Sequence, residues 1–153
     1  MMKLRSGFSM LVAIFTIVLM SLVASYIFYA SSSVSKEGII QYKREQAMLL
    51  ARSYTEYAVM AVSANDRSIN CLNEINGQVG TNPDNGNGYK INVKISYIGN
   101  EKYIKKCTRK AAQLSNSDVE ALSVIIDVYI QYKDGANLNE PWQTYHRRSL
   151  QKI

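Results

Sequence analysis

Charge is missing altogether between Phe8 and Ser35, a run of 28 residues in a chain of 153. The segment 8–33 also lacks proline and glycine, and no proline follows before Pro83. Nothing in that first stretch forces a helix to break. Histidine is reduced to His146, and cysteine to Cys71 and Cys107. No CxxC, HExxH, GxxxxGK[ST] or GxSxG pattern occurs, so no enzyme signature is present. His146 stands beside Arg147 and Arg148 and reads as a surface residue. The glycines of 80–88 precede a strand pattern rather than a helix, which argues against a phosphate cradle. A soluble cytoplasmic enzyme does not fit this profile. A long disordered chain does not fit either, because aromatic and β-branched residues recur throughout.

What is present is an apolar block followed by about one domain's worth of ordinary globular sequence. A bilayer core needs roughly 20 apolar residues in a helix, and Phe8–Ser33 supplies more than that. Lys3 and Arg5 precede it, which puts the N-terminus on the cytoplasmic side, and Tyr26 and Tyr29 lie near its far end. A cleaved secretory signal ending near Ala30–Ser33 is the competing reading, with a shorter apolar core, about 7–15 residues, than this run. Net charge is +6; beyond the leader, sixteen basic residues face twelve acidic ones, an excess that suits a soluble surface. Both cysteines fall after the apolar block, on the exported side, where one disulfide, Cys71–Cys107, is expected.

From Gly38 to Ala64 helix formers dominate. Ile40, Ala47, Leu50, Tyr54, Tyr57 and Ala61 form one apolar face, with Gln41, Glu45, Arg52 and Glu56 on another. Arg52 and Glu56 are an i,i+4 pair. Residues 65–88 are rich in Asn, Gly, Asp and Ser and read as a long connecting loop. Alternation then marks a strand at Tyr89–Ile98, with Tyr89, Ile91, Val93, Ile95 and Tyr97 inward. A second is expected at Ala121–Lys133, with Leu122, Val124, Ile126, Val128, Ile130 and Tyr132 inward. Trp142–Leu150 is expected to form a hairpin with the second strand across a turn at 134–141. Tyr103–Cys107 reads as a short extra strand. The expected class is α+β, a long N-terminal helix packed on a small antiparallel β-sheet.

The junction of leader and apolar run carries a family resemblance. The basic leader MMKLRS ends at Gly7, and Phe8-Ser9-Met10-Leu11 opens the uncharged run with no gap. This resembles the class III signal of type IV pilins and type II secretion pseudopilins. The resemblance implies cleavage between Gly7 and Phe8 by a prepilin peptidase, with methylation of Phe8 and retention of the helix. It implies a pilin-like organisation: leader 1–7, long helix 8–64 with a transmembrane half 8–33 and an amphipathic periplasmic half 36–64, and a β-sheet domain 65–153. Phe8, Met10, Leu11 and Val12 would pack against other pilin helices. The implied partners are other pilins or pseudopilins, the prepilin peptidase and an inner-membrane assembly platform. The implied location is the bacterial inner membrane, with the C-terminal domain in the periplasm.

Two departures qualify the resemblance. Val12 stands at the fifth mature position, where the family usually has a Glu that neutralises a neighbouring subunit's terminal amine. Its absence resembles the minor, tip-located subunit, which is poor at repeated stacking. Tyr29 stands where major pilins usually carry proline. No cofactor is expected, but some pseudopilins bind calcium, and Asp134, Asn137, Asn139 and Glu140 offer oxygen ligands in one turn region. Turns collect the same residues for backbone reasons. Lys102, Lys105, Lys106, Arg109 and Lys110, with Tyr103 interleaved, form the densest basic cluster. A DNA-uptake pilin could set such a cluster on phosphates; a solvated loop is the plainer and favoured reading. A plain single-pass membrane protein with an accidental Gly-Phe is the third alternative.

Overall fold

The computed structural model describes residues 6–67, 69–114, 122–134 and 139–153. The leader residues Lys3 and Arg5, the strand start at Ala121 and the turn residue Asn137 lie outside the described residues. So do the side chains of 6–9, 32–33 and 35–36. The chain divides into two compact units, 1–41 and 42–153. Helix α1 spans Ser6–Ala64 and contributes to both.

In the first unit α1 carries the uncharged run. Met10–Ser31, 22 residues with a mean hydropathy of 2.5, is long and apolar enough to cross a membrane, and none of it is buried. Three of its hydroxyls bond to the helix's own carbonyls. Thr16 Oγ1 donates to Ala13 O at 2.9 Å, Ser21 Oγ to Ile17 O at 2.8 Å and Ser25 Oγ to Ser21 O at 2.8 Å. Polar side chains satisfied in this way can enter hydrocarbon at small cost.

In the second unit the remainder of α1 lies on a sheet with strands β1 (Glu74–Asn82), β2 (Asn87–Asn100), β3 (Lys110–Leu114), β4 (Ser123–Lys133) and β5 (Trp142–Lys152). Their order is β1-β2-β4-β5, antiparallel throughout. β3 pairs in parallel with the last residues of β2, on the edge that β1 has left. The α+β class therefore holds. β2 and β4 show the alternation read from sequence: Tyr89, Ile91, Val93, Ile95 and Tyr97 meet Val124, Ile126, Val128, Ile130 and Tyr132 in one buried layer.

The helix face agrees with the expected one at Ala47, Leu50, Tyr54 and Ala61 and differs at Ile40 and Tyr57. Ala47, Ala51, Thr55, Ala58 and Val62 are buried, with Leu50 and Tyr54 partly so, while Ile40 and Tyr57 are exposed. Small residues at i, i+4 spacing let the helix backbone approach the β-branched sheet surface closely, and Thr55 Oγ1 is satisfied by Ala51 O at 2.7 Å. Gln41, Glu45, Arg52 and Glu56 are exposed as expected, but no ion pair closes between Arg52 and Glu56.

Two further expectations are corrected. Residues 74–82 are not loop but strand β1, registered from Glu74↔Lys94 to Gly80↔Gly88. Its side chains mostly face solvent, so burial imposes no alternation on them. Tyr103–Cys107 is not a strand. Glu101–Ile104 is a short helix, α2, started by Asn100, whose side chain accepts from Lys102 N at 3.0 Å, and Ile104 is fully buried beneath it.

The β1–β2 turn depends on close backbone approach. At Gly88, with φ +147°, an added Cβ would overlap Val79 O and come within 3.1 Å of Gly80 Cα. Gly88→Ala should therefore cost at least about 2 kcal/mol, read as a lower urea midpoint. Gly38→Ala, inside α1 with nothing within 4 Å of the added Cβ, should not lower that midpoint.

Candidate functional site

The expected processing residues Gly7 and Phe8 fall in the first turn of α1, which begins at Ser6. Just beyond them Met10 is 70%, Leu11 66% and Val12 43% exposed. A helix this apolar and this exposed needs lipid or another apolar helix around it. The structure thus leaves Met10, Leu11 and Val12 free to pack against something outside the chain.

Cys71 and Cys107 form a disulfide, with Cα atoms 4.9 Å apart and 36 residues of sequence separation. Both are buried. Beside it Tyr97, fully buried on β2, donates its hydroxyl to Leu72 O at 2.7 Å, and burial pushes its phenol above the usual range. The bond fastens the 65–73 segment to the loop after α2.

That loop carries the basic cluster. Lys102, Lys105, Lys106, Arg109 and Lys110 are all exposed, because Ile104 and Cys107 turn inward between them. No carboxylate among the described residues lies within 4 Å of any of the five. Tyr103 is 40% exposed, with Lys102 Nζ 5.8 Å from its ring centroid. The five are thus exposed and without an ion pair among the described residues.

The four expected calcium ligands are described only in part. Asp134 Oδ1 is buried without a hydrogen-bond partner among the described residues, which suits a cation. A cation of the protein's own is already close: Lys43 Nζ donates to Lys133 O at 2.7 Å, Asp134 O at 2.9 Å and Gly86 O at 3.3 Å. Among the described residues no group of three or more His, Cys, Asp or Glu could hold a metal.

A polar cluster that sequence reasoning missed lies on the sheet face turned away from α1. Asp127 is buried on β4 and opposes Arg148 on β5. Arg148 grips it in a fork, Nε to Oδ1 at 2.7 Å and Nη2 to Oδ2 at 3.0 Å. His146 Nε2 is 2.8 Å from Oδ1, and its ring stacks on Tyr129 at 4.5 Å. His146 is exposed, as expected of a surface residue, and it also engages a carboxylate on the neighbouring strand. The hydrogen bonds from Arg148 hold the Asp127 carboxyl below its usual range against the opposing effect of burial, with His146 adding to the lowering.

A carboxyl with a depressed folded-state pKa stabilises above its unfolded pKa, about 4, and loses that contribution as pH falls through the folded value. Asp127→Asn should thus cost stability at pH 7, with the gap to wild type closing as pH falls below 4. Urea midpoints at pH 7 and pH 3 would show it; a gap of equal size at both would refute it.

No family model, no curated protein and no solved structure matches this chain.

Proposed function

We propose that the chain is a minor type IV pilin-like or pseudopilin subunit, held in a bacterial inner membrane by α1 and drawn from there into a short filament. The observation that carries this reading is the make-up of α1. One helix opens on Gly7-Phe8, continues as a fully exposed apolar span at Met10–Ser31, and ends in a small-residue face packed on an antiparallel sheet. Its work is then assembly and recognition rather than catalysis. Val12 in place of a carboxylate leaves a neighbour's terminal ammonium unneutralised, which suits a subunit used once rather than repeated.

The test is the N-terminal mass of the membrane-extracted protein from cells with and without prepilin peptidase, with Gly7→Ala as the matched control. A chain starting at Phe8, with an added methyl, only in the wild-type protein and only with the peptidase supports the proposal. An intact N-terminus in all samples leaves a plain single-pass anchor, and a start near Ser33 means a cleaved secretory signal.

The unpaired cluster Lys102, Lys105, Lys106, Arg109 and Lys110 favours a second reading, a competence-type pilin that binds DNA. Salt-sensitive binding lost in Lys105→Ala/Lys106→Ala would support it.

A further inference from the structure

The sheet face opposite α1 holds a polar depression of about 490 Å³. Its floor is β2, with Lys90, Asn92 and Lys94; Asn76 of β1 stands on one side, Tyr129 and Gln131 of β4 on the other. The register places Asn76, Asn92 and Tyr129 in one row and Lys90 and Gln131 in the next. We propose that this depression binds a carboxylated saccharide, with the ring hydroxyls on the amides of Asn76, Asn92 and Gln131 and the carboxylate on Lys94. The site is independent of whether the chain is a filament subunit.

Asn92 Nδ2 donates to Asn76 Oδ1 at 2.6 Å and to Glu74 Oε1. That leaves the Asn92 carbonyl as acceptor and the Asn76 amino group as donor, with no partner among the described residues. Gln131 has none for either end. Side-chain amides that offer a donor and an acceptor side by side match neighbouring sugar hydroxyls, which are both.

Lys94 supplies the charge. Of the two carboxylates that flank it in register, Asp127 is held by Arg148 and His146 and Glu74 accepts from the Asn92 amide, and neither lies within 4 Å of the Lys94 ammonium. Its ammonium lies 5.4 Å from the Tyr129 centroid, with no ion pair among the described residues. An ammonium left in this state on a half-buried stem is matched by one carboxylate.

A nucleic acid fits less well. Base stacking needs free aromatic faces. Tyr129 is held between Lys94 and the stacked His146, and Trp142 has Lys90 Nζ at 4.7 Å and Lys133 Nζ at 5.2 Å from its ring. A phosphate backbone also wants a track of unpaired cations, but here Lys90 pairs with Asp84 at 2.8 Å, which leaves Lys94 as the one lining ammonium without an ion pair among the described residues.

The test uses the full chain in a sugar-free zwitterionic detergent, titrated with an oligogalacturonate, a neutral oligogalactoside of equal length, and single-stranded oligo-dT. The expected result is saturable binding of the oligogalacturonate, weaker binding of the neutral oligomer, and a loss of about tenfold or more in Lys94→Gln. Gln131→Ala, an exposed change, should weaken both saccharides alike. Unchanged melting temperatures would show that both variants fold. Saturable binding absent from wild type, or retained in full by Lys94→Gln, overturns the proposal. So does oligo-dT binding that Lys94→Gln abolishes, which would make this a nucleic-acid face.

Discussion

Replacing Cys71 and Cys107 together with alanine lowers the unfolding free energy by about 4 kcal/mol, the chain-entropy value for a closed loop of this length. The bond spans 36 residues of sequence and is the only covalent constraint found among the described residues. It also holds a segment that has no regular secondary structure of its own. Between α1 and β1 the chain is tied to the sheet by two hydrogen bonds, Ile95 N to Asn73 O at 2.9 Å and the Tyr97 hydroxyl to Leu72 O, and to itself by Asn65 Nδ2 to Asn70 O at 2.9 Å and by Ile69 N and Asn70 N to Asp66 O at 3.2 and 3.4 Å. Trp142 is the single tryptophan and sits at the start of β5, so its fluorescence in urea reports unfolding of the sheet. Reductant should reproduce the loss in the wild-type protein and add nothing to the double variant. A loss under about 1 kcal/mol in both would mean that the unfolded chain is already constrained in that region.

The fold was readable from sequence wherever one face of an element is buried. Tyr89 to Tyr97 and Val124 to Tyr132 alternate because every second residue enters the core. β1 was not readable, because Glu74–Asn82 is an edge strand whose backbone is paired while its side chains stay wet; with Gly77 and Gly80 inside it, composition alone says loop. Tyr103–Cys107 is too short for a period, and the signal that would have found α2 is the capping side chain of Asn100.

On α1 the expected face holds at Ala47, Leu50 and Tyr54; size alone points to Ile40 and Tyr57 as well, whereas close packing on a sheet selects Ala51 and Ala58. The disulfide was readable because two cysteines allow one pairing. The Asp127–His146–Arg148 cluster was not, because it is assembled by cross-strand register, and a residue's partner nineteen or twenty-one positions away leaves no local pattern. The same holds for the depression around Lys94: its residues read only as the wet side of a strand.

Lys43→Met should be the second most damaging single feature to remove, at about 3 kcal/mol, since each buried carbonyl left without a partner costs about 1–3 kcal/mol and water can reach some of them. Lys43 lies at the start of the part of α1 that packs on the sheet, and its ammonium has three donors for three carbonyl oxygens. Gly86 O belongs to the β1–β2 turn; Lys133 O and Asp134 O close the end of β4. One side chain thus fastens two turns to one helix, and next to it Tyr89 donates its hydroxyl to Gln46 Oε1 at 2.8 Å. Methionine keeps the length of the stem and removes the donors, so the change isolates the ammonium from its packing. Lys43→Arg should recover only part of the loss, because a planar fork cannot reach three convergent oxygens as a compact ammonium does. Urea midpoints followed at Trp142 would rank the three proteins as Lys, Arg, Met. A Lys43→Met midpoint equal to wild type would show that these carbonyls are served by water, and that the helix is held to the sheet by its alanine face alone.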